Sequence, residues 1–351
     1  MEKILYISNT SRVERPYLDP SVRYRCFNPA EEVMKYGHIA DVVSYEKFEV
    51  EMVDFYNIFI FHRPPYDNKL FTALEQVKKK GKKYFADYDD LIFNKKHALI
   101  SPLYKQGRVD EQKCIDIFTR NEKALGLFEN VLVSTEYLKQ KVLLSCPNAK
   151  VSVVHNALSS SVIKRIALKG HKKSISNQKV ISYMSGTASH NHDFEIIEDT
   201  LVDLLNKYHS KAQLIVVGPL EFNKNKFKHV IHKRYVEYEK LFDFISQTHI
   251  NLAPLELNDF TNCKSGLKFF ESGILGIPSV VSPIDDMLRF KDSKGISYAN
   301  SSDEWYEKIE KLIVDDTFYH ESSKKTQEYV QTKCTIEHTI KEYAETIGVL
   351  L

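Results

Sequence analysis

No apolar run in this chain approaches the roughly 18 residues that a membrane-crossing helix needs. Its first residues, Met-Glu-Lys-Ile-Leu-Tyr-Ile-Ser-Asn, read as a strand and lack the long apolar core of a secretory signal, which points to the cytoplasm. Charge of one sign is also lacking. The 49 basic residues against 47 acidic ones leave a formal net charge of +2, so the whole chain offers nucleic acid no basic footprint. The five cysteines, Cys26, Cys114, Cys146, Cys263 and Cys334, form no C-x-x-C pair and have no histidine at metal spacing. Free thiols are therefore expected in place of a disulfide or zinc site. Neither a G-x-G-x-x-G nor a Walker pattern occurs.

What is present is ordinary globular composition, 43% apolar and 27% charged over 351 residues, enough for two domains with full cores. Short β-rich runs alternate with helical patterns, which argues for parallel sheets covered by helices. In the first half strands are expected at Lys3–Ser8, Ala40–Ser44, Asn57–His62, Lys83–Asp87, Val131–Ser134 and Val151–His155. Pro29 suits a helix start and Gly37 a stop, and Asn68 to Lys80 ends at Gly81 in the same way. The pattern lapses over Ser159 to Lys179, which carries six Lys or Arg and no acid. This marks a basic linker, 161–178, between an N-terminal domain, 1–160, and a second domain, 179–334. It reads as a solvated connection or as a contact for an anionic membrane surface.

The second half restarts the alternation, with strands at Lys179–Met184, Gln213–Val217, Ile250–Leu255 and Ser279–Ser282 and helices at Asp193–Tyr208 and Glu237–Gln247. After Ser302 the pattern stays helical, and Thr335 to Gly348 is an amphipathic helix with Ile336, Ile340, Tyr343 and Ile347 on one stripe. That helix either finishes the second domain or crosses back onto the first. The expected fold class is α/β, two doubly wound domains with ligands at the carboxyl ends of their strands, in the cleft between them.

The most informative stretch runs from Phe260 to Pro278. Drawn as one helix, Lys264, Lys268 and Glu271 fall within about 60° of one another, while Leu267, Phe270 and Ile274 form a separate apolar stripe. Two ammonium groups and a carboxylate near a helix N-terminus suit a nucleotide diphosphate and its ribose. They equally suit a solvated face with a Lys268–Glu271 ion pair. The loop Ser185-Gly186-Thr187-Ala188-Ser189-His190, at a strand-to-helix turn, can cradle a phosphate or simply cap the next helix. Asp87, Asp89 and Asp90 place three carboxylates at a strand end, where they could bind a cation, orient an acceptor hydroxyl, act as a base or serve as turn residues. Arg23, Arg25 and Arg63 suit anionic groups, although lone arginines at strand ends are more often simply solvated.

Taken in order, these pieces carry a resemblance. Ser185-Gly186-Thr187 with His190 and Asp193-Phe194, Val217-Gly218-Pro219, Asn251-Leu252-Ala253-Pro254-Leu255-Glu256, and Phe260 with Lys264-Ser265, Lys268 and Glu271 resemble the nucleotide-sugar half of bacterial GT-B glycosyltransferases. The similarity is greatest to retaining enzymes of glycosyltransferase family four that build surface polysaccharides. In the first half it extends to Arg23-Tyr24-Arg25 with Asn28-Pro29-Ala30-Glu31, Asp87-Tyr88-Asp89-Asp90-Leu91 with Phe93, Ser134-Thr135, and Val153-Val154-His155-Asn156-Ala157.

The resemblance implies a hexosyl- or deoxyhexosyltransferase. It would move a sugar from a nucleoside diphosphate donor to a glycan or lipid-linked glycan acceptor, at most peripheral to the membrane and with no nucleic-acid partner. Glu271 would bind the donor ribose. The residues around it, Ser185, Gly186, Thr187, His190, Gly218, Pro254 and Leu255, would hold the donor. Arg23, Arg25, Arg63 and Asp87 would contact substrate. The family pattern is Glu-x7-Glu, and Cys263 stands where the first glutamate belongs. Lys264 and Lys268 would then neutralise the departing diphosphate, a role that requires no metal. Asp89 or Asp90 would orient the acceptor, or serve as base in an inverting reaction. A nucleotide-sugar epimerase of the same architecture and a non-catalytic sugar-binding relative are the alternatives. The donor sugar and the oligomeric state are not legible in the sequence.

Overall fold

The computed structural model describes residues 1–169, 178–185, 191–228, 230–234 and 236–351. The chain divides into two compact units. The first comprises Met1–Ser160, Asn262–Ser265 and Thr335–Leu351; the second comprises Ser161–Thr261 and Gly266–Cys334. Each is built on one six-stranded sheet, and every pairing in both is parallel.

The first sheet contains β1 (Lys3–Ser8), β2 (Ile39–Ser44), β3 (Ile58–His62), β4 (Lys83–Tyr88), β5 (Asn130–Val133) and β6 (Lys150–Val153), in the order β2-β1-β3-β4-β5-β6. Its central strand, Ile-Phe-Ile-Phe-His, is buried at every position, as a strand covered on both faces must be. The chain leaves β1 to one side and returns to the other, so the order reverses between β1 and β3. A crevice opens at such a point beyond the carboxyl ends of the strands. After β1, helical structure runs from Pro20 to Met34 with one widened π turn at Arg23–Phe27. Pro29 explains the widening: it has no N–H, and its ring would strike the carbonyl four residues back.

The last helix, Ile336–Ile347, packs in the core of this first unit. Its Ile336, Ile340, Tyr343, Ala344 and Ile347 join Ile4, Tyr6, Val22 and Ile60 in one cluster, and the Tyr6 and Tyr343 hydroxyls are 2.7 Å apart.

The second sheet contains β7 (Lys179–Met184), β8 (Ala212–Val217), β9 (Val230–Lys233), β10 (Ile250–Ala253), β11 (Ser279–Val281) and β12 (Ile296–Tyr298), in the order β12-β11-β10-β7-β8-β9. Here the order reverses between β7 and β10. Trp305, Ile309 and Leu312 of the helix Ser302–Val314 pack with Ile181, Leu201 and Leu252 in its core. Both outer strands, β9 and β12, escaped the reading of the sequence; they are short and half exposed.

The stretch read as a basic linker over 161–178 begins in the helix Ser160–Lys169, on which the Arg165 guanidinium lies 5.9 Å from the centre of the Phe242 ring and Lys169 pairs with Asp243. One expectation is corrected. The single helix drawn over 260–278 is broken into Asp259–Asn262 and Leu267–Gly273. Gly266 causes the break: its N–H donates to the Asp286 carboxylate at 2.7 Å, and a Cβ there would come within 2.4 Å of the Phe290 ring. Lys264 therefore shares no helical face with Lys268 and Glu271. Among the described residues no helix is long and apolar enough to cross a membrane.

Candidate active site

The carboxyl edge of the first sheet gathers most of the charged residues singled out in the first half. Ser8 ends β1, His62 ends β3, and Asp87 lies one position before the end of β4. The register sets Ser8 beside His62 and His62 beside Asp87. Parallel neighbours in register point to the same face, so these side chains meet.

The three aspartates do not share one role. Asp87 is buried against Arg25, whose Nε lies 3.0 Å and Nη2 2.8 Å from Oδ1; the two side chains are 2% and 3% exposed. Arg25 Nη1 donates onward to the Val154 carbonyl and to Asn156 Oδ1. Both residues were expected to contact substrate; here they are buried against each other. Arg23 is likewise engaged, pairing with Glu31 at 2.6 Å.

Asp89 accepts from Arg63 Nε at 2.7 Å and from Ser21 Oγ, and its Oδ1 lies 3.1 Å from His62 Nε2. Burial alone would push the Asp89 carboxyl up. The Arg63 guanidinium and His62 outweigh burial and hold it well below the usual carboxylate range. Asp90 has longer contacts, to Arg63 Nη2 at 3.2 Å and to Lys264 Nζ at 3.4 Å. Arg63 bridges the two carboxylates from a left-handed backbone position, φ +51°, which costs a non-glycine residue about 1–2 kcal/mol. Its own N–H is tied to the Asp87 carbonyl at 2.9 Å. Three acids within four positions are thus tolerated because each faces a cation. Cys263, in the same segment as Lys264, is buried and its carbonyl accepts from Thr135 Oγ1.

In the second unit the switch point lies between Ser185, just past β7, and Pro254-Leu255, just past β10. Ser185 is buried, and its N–H donates to the Val217 carbonyl. Gly218 follows β8 with φ +117°, and a Cβ there would stand 2.0 Å from the Ser185 carbonyl oxygen. The glycine therefore lets two strand ends approach. Pro254 and Leu255 are buried, and the Leu255 N–H donates to Ser282 Oγ at 2.8 Å. The exposed Glu256 is tied down by its N–H to Asp193 Oδ1 at 2.9 Å. Lys268 and Glu271 lie on the helix Leu267–Gly273, anchored to β10 by Asn251 Nδ2 donating to the Lys268 carbonyl at 3.1 Å. The Lys268 ammonium sits 4.8 Å from the centre of the buried Tyr183 ring, a contact that can hold the cation in place. Gly186, Thr187 and His190 lie outside the described residues.

Sequence reasoning passed over His62, Ser21 and Tyr183 as site residues. The signal for His62 was one polar residue closing an otherwise apolar strand; Ser21 and Tyr183 gave none.

Comparison with solved structures places this architecture. HepE from Anabaena, crystallised with UDP-glucose, aligns with a TM-score of 0.66 at 11% identity over 100% of both chains. The chain has the GT-B fold. A sucrose-phosphate synthase from Thermosynechococcus elongatus matches this GT-B chain with a TM-score of 0.64 at 13% identity, covering 98% of each chain. A UDP-GlcNAc 2-epimerase from Neisseria meningitidis, bound to UDP-GlcNAc, matches less well, at 0.53 and 16% over 98% of this chain and 99% of its own. At such identities the likeness is one of GT-B fold. Residues 199–345 match the family described as Glycosyl transferase-like. No curated protein sequence matches the chain.

Proposed function

We propose that this chain is a glycosyltransferase. It moves a sugar from a nucleoside diphosphate sugar, bound by the second unit, to a hydroxyl of a glycan or lipid-linked glycan, bound by the first. The observation that carries the reading is that the segment matching the glycosyl transferase-like family, 199–345, supplies Lys264, Lys268 and Glu271 within a GT-B fold.

Lys268, steadied over Tyr183, and Lys264 neutralise the departing diphosphate, and Glu271 holds the ribose. Fixed cations stabilise developing charge without reorganising, so no metal is called upon. The acceptor oxygen attacks the anomeric carbon on the face the diphosphate leaves, its proton passes to the leaving oxygen, and configuration is retained. The order of motifs supports a role in bacterial surface polysaccharide synthesis. UDP-sugars are the first donors to try, since HepE and the epimerase were crystallised with them. The basic stretch 161–178 would bring the enzyme to an anionic membrane, which co-sedimentation with vesicles of anionic and of neutral lipid distinguishes.

A thermal-shift screen over UDP-, GDP-, dTDP- and CMP-sugars, followed by acceptor-dependent release of the nucleoside diphosphate, tests the reading. A donor at 100 times its Kd adds about 2.7 kcal/mol. Interconversion of the sugar with no acceptor present would replace it with an epimerase, and tight binding without transfer would make the chain a sugar-binding relative.

A further inference from the structure

The two neighbouring carboxylates at the edge of the first sheet differ in how completely their oxygens are occupied. Asp89, 11% exposed, is met by three side chains: Arg63 and His62 at Oδ1 and Ser21 at Oδ2. Asp90, 23% exposed, has one contact on each oxygen, at 3.2 and 3.4 Å, both longer than a good charge-assisted bond.

The protons around His62 follow from what each partner can do. An ionised carboxylate only accepts, so His62 Nε2 must carry the proton that faces Asp89. In the neutral ring Nδ1 is then an acceptor, and Ser8 Oγ, 2.8 Å away, donates to it. Ser21 Oγ, which gives its own proton to Asp89 Oδ2, lies 3.0 Å from Nε2 and can accept there. Ser8 and His62 are fully buried, so this orientation is set by the sheet and has no competition from water.

We propose that His62 is a positioning residue. With Ser8 behind it and Ser21 beside it, it fixes Asp89 as a saturated anion that clamps Arg63, and this leaves Asp90 as the carboxylate that accepts the hydrogen bond of the acceptor hydroxyl. The assignment rests on the glycosyltransferase reading for the role of Asp90, but not for the state of His62. The low range in which Asp89 is held, with the Arg63 cation, the Asp87 and Asp90 carboxylates and the His62 N–H around it, fits a group that does not exchange protons during turnover.

Two measurements separate the parts. In the full chain labelled with [15N]histidine, the ring signals that vanish in His62→Gln should show the Nε2–H tautomer at neutral pH; the Nδ1–H tautomer or an imidazolium would overturn the relay. This readout needs no substrate and stands even if no transfer is found. In kinetics, Asp90→Asn should lower kcat by about 10²-fold, the cost of losing a positioned contact, with little change in donor KM. His62→Ala should raise acceptor KM and lower kcat, and His62→Gln, whose amide can still donate to Asp89, should recover at least half of the loss on a logarithmic scale. Asp90→Asn with normal kcat, or Gln no better than Ala at 62, would overturn the assignment. Should His62→Ala fail to fold, Asp90→Asn and the tautomer decide it.

Discussion

Replacing Asp87 with alanine would leave Arg25 Nε and Nη2 facing a cavity in a place where the arginine side chain is 3% exposed. Removing one partner of a buried ion pair costs about 3–5 kcal/mol, because the remaining charge keeps its desolvation penalty and loses its compensation. Arg25 Nη1 would retain its bonds to Val154 and Asn156, which favours the lower end, ~3 kcal/mol. For a unit of this size each kcal/mol moves the midpoint by about 2–4 °C, so a fall of about 6–12 °C is expected. The double variant Arg25→Met/Asp87→Leu, which removes both charges, should recover most of that loss. Calorimetry of the three variants, with initial-rate kinetics on the same samples, makes the comparison. If Asp87→Asn left the midpoint unchanged and abolished turnover, the pair would be a ligand contact and its structural assignment would be wrong.

Gly218→Ala should destabilise the second unit by at least about 2 kcal/mol, through its φ of +117° and the collision with the Ser185 carbonyl, read as a lower unfolding midpoint. Lys268→Ala should cost turnover at least tenfold, about 1.4 kcal/mol, while Tyr183→Phe, which keeps the ring beneath the ammonium, should cost far less. The Asp89 carboxyl is held below its unfolded value, so its stabilisation is present above about pH 4 and is lost as pH falls through the lower folded value; Asp89→Asn should flatten the acid limb of a stability-versus-pH curve. Transfer should persist in excess EDTA; an absolute dependence on added divalent metal would contradict charge neutralisation by lysines.

The fold was legible because buried parallel strands leave continuous apolar runs, as in Ile58–Phe61 and Leu214–Val217. Strands β9 and β12 were not, since a short edge strand with no fully buried residue carries little apolar signal. The residues from 260 to 278 satisfy a helical period on both sides of Gly266, and nothing local announces that its N–H is claimed by Asp286 or that Phe290 lies against it. Acidic clustering at Asp87 to Asp90 was visible, but the cations that decide each role come from positions 25, 63 and 264. Which carboxylate is buried and which has room is therefore a tertiary property, beyond any reading by spacing.

The helix Ile336–Ile347 supplies part of the core in which Ile4, Tyr6 and Val22 are buried, so the first unit is discontinuous along the chain. During synthesis the residues from Ser161 to Cys334 must all be made before that core can close, an interval of roughly 10–35 s at about 5–20 residues per second. Through that interval the apolar positions awaiting the helix stay open to wrong partners. The half of the protein that emerges first is the half that finishes last, and its dependence on chaperones should exceed that of the second unit.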